Sequence, residues 1–253
     1  MVLHIPHDSA HIPADLRDTL GLTDDELQAE LIAMTDSFTL ELFDFSPDVQ
    51  RVAFPVSRLV VDPERFVDDA HEPMAARGMG VIYTATSRGT PLRAAPSLHE
   101  RNELLDRYYY PHHAALSQAV SRALEKFGSC VIVDCHSFPS SPRAYDLDQS
   151  VHRADICLGT DGFHTPGWLT ALVANQFMAE GFSVQRDSPY AGSIVPGELY
   201  RSEPCVASIM VEINRRLYLD EGTGRRLSGF ASTRNAIDSA LTVIRTSLAT
   251  RDP

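Results

Sequence analysis

Apolar residues along the chain fall into two patterns. Short apolar runs of strand length occupy positions 2–5, 49–56, 59–61, 81–86, 130–133, 156–159, 182–185 and 206–213, with Pro55 breaking the second. Between several of them, apolar residues recur every three or four positions, as on the buried face of a helix. Thr23-Asp24-Asp25-Glu26 is a capping box and predicts a helix that carries Leu27, Leu31, Met34, Phe38 and Leu42 on one face. Ser97-Leu98-His99-Glu100 opens a second helix, which Pro111 kinks or restarts and Gly128 ends just before Cys130-Val131-Ile132-Val133. Thr165-Pro166 predicts an N-cap and a helix closing at Gly181, and residues from about 225 to 248 read as an amphipathic terminal helix. This alternation predicts one α/β domain over residues 1–253, with a mixed, mostly parallel central sheet covered on both faces.

Composition narrows the partners. The 253 residues are 43% hydrophobic, enough for a sizeable core, and 22 Lys and Arg against 34 Asp and Glu give a net charge of -12. That charge repels a phosphate backbone, so no nucleic-acid partner is expected, whereas a pocket with its own arginines still accepts a small anion. Cys130, Cys135, Cys157 and Cys205 show no CxxC spacing and read as reduced thiols. With no basic-then-apolar leader and no apolar run near the ~20 residues of a membrane span, a soluble cytoplasmic protein is expected, without a membrane partner.

In open α/β sheets ligands bind beyond the carboxyl ends of strands, and three charged groups fall there. Pro6-His7-Asp8-Ser9 follows the first run, Asp134-Cys135-His136-Ser137 follows 130–133, and Glu212 follows Ser208-Ile209-Met210-Val211. Two histidines and a glutamate at strand ends suggest a zinc site with a carboxylate ready to take a proton from water. Asp134 is placed to orient His136. Asp36, with Ile32 and Leu40 one turn to either side, is the candidate third ligand; the alternatives are that Thr35-Asp36-Ser37 is a helix break with Asp36 as N-cap, or that Asp161 or Glu212 is the ligand. Glu212 also fits a buried ion pair.

Arg58 and Arg65 flank an apolar run and suit a substrate carboxylate, with local pairs to Asp62 or Glu64 as the alternative. The loop Arg186-Asp187-Ser188-Pro189-Tyr190-Ala191-Gly192-Ser193 has the composition of a pocket lid or of an ordinary surface loop. His112 and His113 point about 100° apart on a helix, so at most one faces a site, as ligand or proton donor. His71, His99, His152 and His164 lack supporting context. No GxGxxG, Walker, GxSxG or HExxH motif is present.

These segments together resemble the N-formylglutamate amidohydrolase family, related to zinc carboxypeptidases and aspartoacylases. The resemblance runs nearly end to end: Pro6-His7-Asp8-Ser9 with Ile12-Pro13, Thr35-Asp36, Ser57-Arg58-Leu59-Val60-Val61-Asp62 with Arg65, Tyr110-Pro111-His112-His113, Asp134-Cys135-His136-Ser137, Ser188-Pro189-Tyr190-Ala191-Gly192, and Val211-Glu212-Ile213-Asn214 with Tyr218. It implies a three-layer αβα sandwich and a divalent metal, expected to be Zn2+, on His7, Asp36 and His136. It also implies Glu212 as general base, with His113 as a second catalytic candidate, and Arg58, Arg65, Tyr190, Gly192 and Ser137 around the substrate. The expected partner is a small anionic N-acyl amino acid, N-formyl-L-glutamate yielding formate and glutamate, with a place in histidine degradation. The alternatives are another acetyl, succinyl or formyl acidic amino acid, or a non-catalytic anion-binding protein. The chain departs from relatives at Ala10, where carboxypeptidases carry the glutamate of HxxE, and at Asp187-Ser188, where the family has Asn before the Pro.

Overall fold

A computed structural model describes residues 1–250. A six-stranded sheet runs β2 (Gln50–Ala53), β1 (Val2–Ile5), β3 (Cys130–Phe138), β6 (Val206–Asn214), β4 (Ile156–Gly159), β5 (Val184–Arg186). Every neighbouring pair is parallel except β4 with β6. The mixed, mostly parallel α/β sheet is therefore as the sequence predicts.

Strand parity divides the sheet's two faces. Leu3, Ile5, Val131, Val133, Cys135, Ile209, Val211 and Ile213 form one face, packed against α6 (Gly167–Ala179) and α7 (Phe230–Thr250). Val2, Cys130, Ile132 and Val206 form the other, packed against Leu116, Ala119 and Val120 of α5 (Tyr110–Phe127). Along this second face the strands change character towards their carboxyl ends. The register pairs His4 with Asp134, Asp134 with Met210 and His136 with Glu212, so four of the polar groups follow Val2, Ile132 and Val206 on the same side. Apolar packing fixes the beginnings of β1, β3 and β6, and the same alternation delivers their ionisable side chains to one place.

Several elements differ from expectation. After the short α1 (Ala14–Arg17), helix α2 (Asp24–Met34) carries the predicted Thr23 capping box but ends at Met34, because Thr35 is extended and Phe38 takes a left-handed φ of 70°. Phe38 and Leu42 thus leave the helical face, Leu42 lying in the separate α3 (Thr39–Leu42), and Asp36 sits in the break between the two helices. Residues 59–61 and 81–86 form no strands: Asp62 donates its amide to Val81 O (2.8 Å), a single bridge joins Ala85 to Pro91, and both runs fill a satellite core with Phe54 and Val56. The second run's strand shrinks to Gln50–Ala53 because Pro55 cannot continue the ladder. The helix α4 (Leu98–Leu104) opens on its Ser97 capping box and passes through a π turn at Leu105–Tyr109 into α5. Pro111 has no amide for the carbonyl four residues back, which accounts for the loosened turn. Thr165 does not cap α6; its hydroxyl donates to Ser208 O (2.6 Å). Arg225–Arg226 pairs with Leu219–Asp220 in a small hairpin before α7 begins at Phe230. Among the described residues, no helix is long and apolar enough to cross a membrane.

Candidate metal centre and cavity

Three segments converge beyond the carboxyl ends of β1, β3 and β6. His7 follows β1, and its carbonyl accepts the amide of Asp36 (2.9 Å), which ties the break between α2 and α3 to the sheet. The Ser137 amide donates to Asp36 Oδ2 (3.1 Å), and Arg215, after β6, donates from Nη2 to Asp36 Oδ1 (2.8 Å). Asp36 is therefore held from three sides. The chain does break at Asp36, but Asp36 is not an N-cap, a place Phe38 takes; the break lets the carboxylate point at the histidines.

His7 donates from Nε2 to Asp62 Oδ1 (2.8 Å), and His136 from Nε2 to Asp134 Oδ1 (3.0 Å). Each ring then turns its Nδ1 towards Asp36 Oδ2, at 3.8 Å from His7 and 3.2 Å from His136. His7 Nδ1 is buried and has no hydrogen-bond partner. These three donor atoms lie within 4.8 Å of one another. Two imidazole nitrogens and a carboxylate oxygen, each ring backed by a second carboxylate, form the donor set and support that zinc sites use. Charge agrees with the fit. Burial disfavours a charged His136, yet Asp134 and Asp36 hold its pKa well above the usual value, so this pocket of acids recruits a positive charge. Despite burial, Asp36 is held well below the carboxylate range by the hydrogen bond from His136, by the His7 ring 3.8 Å away and by Arg215.

Glu212 lines the same cavity, which is about 520 Å³. Its Oε2 is buried without a hydrogen-bond partner. Burial pushes its carboxyl up to about 8, with His136 pulling down and Asp36 pushing further up. Glu212 forms no buried ion pair of the kind its sequence context allowed.

The cavity's cations differ in their freedom. Arg58 donates from Nη2 to Asp62 Oδ2 (2.7 Å) and from Nε to Tyr83 OH (3.1 Å), so the local ion pair exists although the side chain also lines the cavity. Arg65 lines it as well, its buried Nε unpartnered and 3.7 Å from Asp62 Oδ2. Arg215 is spent on Asp36, Ser137 Oγ and the Ala33 carbonyl (2.7 Å).

The far wall is the loop after β5. Cys157 Sγ donates to Tyr190 O (3.2 Å), Tyr190 OH donates to Asp146 Oδ1 (2.9 Å), and Ser208 Oγ donates to Ile194 O (2.7 Å). Gly192 lines the cavity with a φ of 95°, and its carbonyl packs so tightly on Gly159 that a Cβ at 159 would collide with it. Held by these bonds, the loop is a wall of the cavity and not the lid its composition suggested.

Of the residues chosen from sequence, His7, Asp36, Arg58, Arg65, His136, Ser137, Tyr190, Gly192 and Glu212 all line this cavity. His113 does not. Its ring packs on Tyr109 with centroids 4.2 Å apart and donates from Nε2 to Pro63 O (2.9 Å), a bond that occupies it outside the cavity. Ser137 borders the cavity, but its amide and hydroxyl already serve Asp36 and Arg215. Asp161 lies at the cavity margin, where it accepts the amides of Phe163 and His164 (both 2.8 Å) and Tyr200 OH (3.0 Å), and takes no part in the histidine group. Sequence reasoning missed the orienting role of Asp62, and it missed Arg215. Asp62 sits between two candidate arginines and reads there as their counterion; Arg215, three residues after Glu212, was the available signal for a second charge beyond β6.

An N-formylglutamate amidohydrolase family model matches residues 1–219, and the chain belongs to that family. An N-formylglutamate deformylase of Pseudomonas putida is 32% identical over 153 residues, 58% of this chain and 55% of that protein. The match thus spans about half the length of that curated relative. The crystal structure of N-formylglutamate amidohydrolase from Ralstonia eutropha JMP134 superposes with a TM-score of 0.83 at 28% identity, covering 97% of this chain and 92% of the other. A gene product of Agrobacterium tumefaciens shares the fold at a TM-score of 0.69 and 19% identity, covering 96% and 91%.

Proposed function

We propose that the protein hydrolyses the amide bond of N-formyl-L-glutamate to formate and L-glutamate, with a divalent metal, zinc by donor type, on His7, Asp36 and His136. One observation carries this reading: the unpartnered Glu212 carboxyl shares a cavity with the three converging donor atoms and with Arg65, whose Nε lacks a hydrogen-bond partner. When bound, the metal supplies Lewis-acid polarisation of the amide carbonyl and lowers the pKa of water. Glu212 takes a proton from the attacking water and returns it to the amide nitrogen as the C–N bond breaks. A positive charge beside Asp36 favours the ionised Glu212 that this step needs. Arg65 and the remaining nitrogen of Arg58 hold substrate carboxylates, and Tyr190 with Gly192 closes the opposite wall. We also infer a cytoplasmic location, in keeping with four free cysteines, three of them buried.

The test is release of formate from N-formyl-L-glutamate by zinc-reconstituted protein, beside the N-acetyl and N-succinyl analogues. Turnover of the formyl compound is expected, and Glu212→Gln should lower kcat by about 10²–10⁴-fold while zinc remains bound. Stoichiometric zinc without turnover of the formyl substrate would remove the substrate assignment. Full activity in Glu212→Gln would remove the proton-transfer role.

A further inference from the structure

The cavity contains a hydroxyl that the mechanism above does not use. Four of the tyrosines near it are committed: Tyr83 OH donates to Asp62, Tyr109 OH to Arg65 O (3.0 Å), Tyr190 OH to Asp146 (2.9 Å) and Tyr200 OH to Asp161 (3.0 Å). Tyr145 also lines the cavity, and among the described residues its hydroxyl makes no hydrogen bond. The residue is half-buried on the cavity lining, so a ligand in the cavity can take up that unused bonding capacity.

The rest of the residue is fixed. Its ring packs against the cluster of Leu20, Leu27, Met34, Leu59 and Tyr83. Its carbonyl accepts from Arg77, and the next residue, Asp146, is buried in a pair with Arg153 (2.6 Å) that also receives Tyr190 OH. A rotationally confined phenol with a free O–H is a preorganised donor. Arg58 and Arg215 both lie within electrostatic reach of its oxygen. Of these, Arg215 is spent on Asp36, whereas Arg58 uses Nε and Nη2 and keeps Nη1. Burial, with Asp146 nearby, raises the phenol's pKa and keeps it a donor at neutral pH.

We infer that Tyr145 is a substrate-binding residue that donates its hydroxyl hydrogen to a carboxylate of the substrate, alongside the free edge of the Arg58 guanidinium. The inference rests on the acidic-substrate reading above. It adds a neutral donor to carboxylate binding otherwise assigned to Arg58 and Arg65, and it ties specificity to the segment after β3, where sequence patterning marks nothing.

Tyr145→Phe removes only the hydroxyl and leaves the packed ring. In zinc-loaded protein, KM for N-formyl-L-glutamate should rise about tenfold or more with kcat nearly unchanged, because a hydrogen bond to a carboxylate is made equally in the ground and transition states. The ratio of variant to wild type should collapse towards one for either N-formyl-L-norvaline or the α-amide of N-formyl-L-glutamate, whichever lacks the carboxylate that Tyr145 holds. An unchanged KM in Tyr145→Phe overturns the inference, as does a fall in kcat alone, which would place the hydroxyl at the reacting carbonyl. If wild type does not turn over the formyl substrate, calorimetric binding of glutarate keeps the two readings apart. Binding by wild type that weakens about tenfold in Tyr145→Phe upholds the role of Tyr145 without the proposed reaction, and equal binding, or none by either protein, overturns it. Unchanged melting temperature and zinc content in the variant exclude a folding effect.

Discussion

Two groups of histidine and carboxylate lie side by side under this cavity, and they differ in one respect that matters. His7, Asp36 and His136 form one; His4, Glu64 and Asp134 form the other, each with three possible donor atoms within 4.8 Å. In the first, each ring fixes Nε2 on a carboxylate behind it and turns Nδ1 to the shared space, where His7 Nδ1 has no partner and His136 Nδ1 meets Asp36 Oδ2 at 3.2 Å. In the second, His4 has no spare nitrogen: Nδ1 donates to Asp134 Oδ1 (2.8 Å), and Nε2 meets His112 Nε2 at 2.8 Å. Burial lowers the pKa of His4 and drives His112 down to about 2, so both are neutral. The proton order follows, with His112 donating to His4 and His4 to Asp134. Residue types alone would equate the groups. What separates them is His7 Nδ1, which has no partner after the protein's own hydrogen bonds are counted.

That difference is broken most directly at His136. His136→Ala removes one ring nitrogen and leaves Asp134 and Asp36 as buried acids without their shared partner. Zinc content measured after dialysis should fall from one equivalent to near zero, and formate release should drop by at least three orders of magnitude. Retention of a full equivalent would mean that the other group binds the metal, and the comparison would be inverted.

The fold was legible in the sequence wherever local pattern and tertiary role agree. The capping boxes at Thr23 and Ser97, the stop at Gly128 and the runs that became β1, β3, β4 and β6 all have chemistry that acts within a few residues. The runs at 59–61 and 81–86 failed because β-branched residues bury equally well in a loop-covered cluster, and patterning does not say whether a ladder partner exists. In the site, His7, His136 and Glu212 stood out because polar groups at strand ends are conspicuous. His113 misled because adjacency to His112 hides which ring turns inward, and neither reaches the cavity; His112 reaches His4 instead. Tyr145 was illegible because its importance lies in a missing hydrogen bond, which exists only once every neighbour's partners are known.

A gentler separation of the two groups comes from pH. Burial raises the Glu212 carboxyl to about 8, and burial together with Asp134 raises Glu64 to about 8. A carboxyl raised in the folded state holds a proton that the unfolded chain has released. Its stabilisation is complete below the unfolded value near 4.3 and is lost as the pH climbs to 8, on the order of 5 kcal/mol for one fully buried group. His136 works in the same direction, since its raised pKa favours the folded state below about 6.5 and fails above its own folded value. Asp36 and Asp62, held low, contribute fully above about 4 and do not change across this range. The melting temperature of metal-free protein should therefore fall between pH 6 and pH 9. Glu212→Gln should flatten that slope, and zinc should flatten it further by replacing the proton on His136. A metal-free melting temperature that is level or rising over this interval would contradict the charge balance drawn for the site.

The smallest effect is expected at His4, and it sharpens the comparison most. His4→Phe keeps a ring of similar size in a fully buried place and removes one of the two donors on Asp134 Oδ1, the other being His136 Nε2. His112 loses its acceptor as well. Stability should fall by about 1–3 kcal/mol, the penalty for leaving buried polar groups underused. Zinc should still bind at one equivalent, with affinity reduced less than tenfold, because Asp134 keeps its bond to His136 and Asp62 still fixes His7. The effect on kcat should be no larger, since His4 reaches the reaction only through Asp134 and the ring it orients. Two equivalents of zinc in wild type, falling to one in His4→Phe, would give the second group a ligand role of its own. One equivalent in both, with a modest loss of affinity, leaves it as the support that orients the His136 ring towards Asp36.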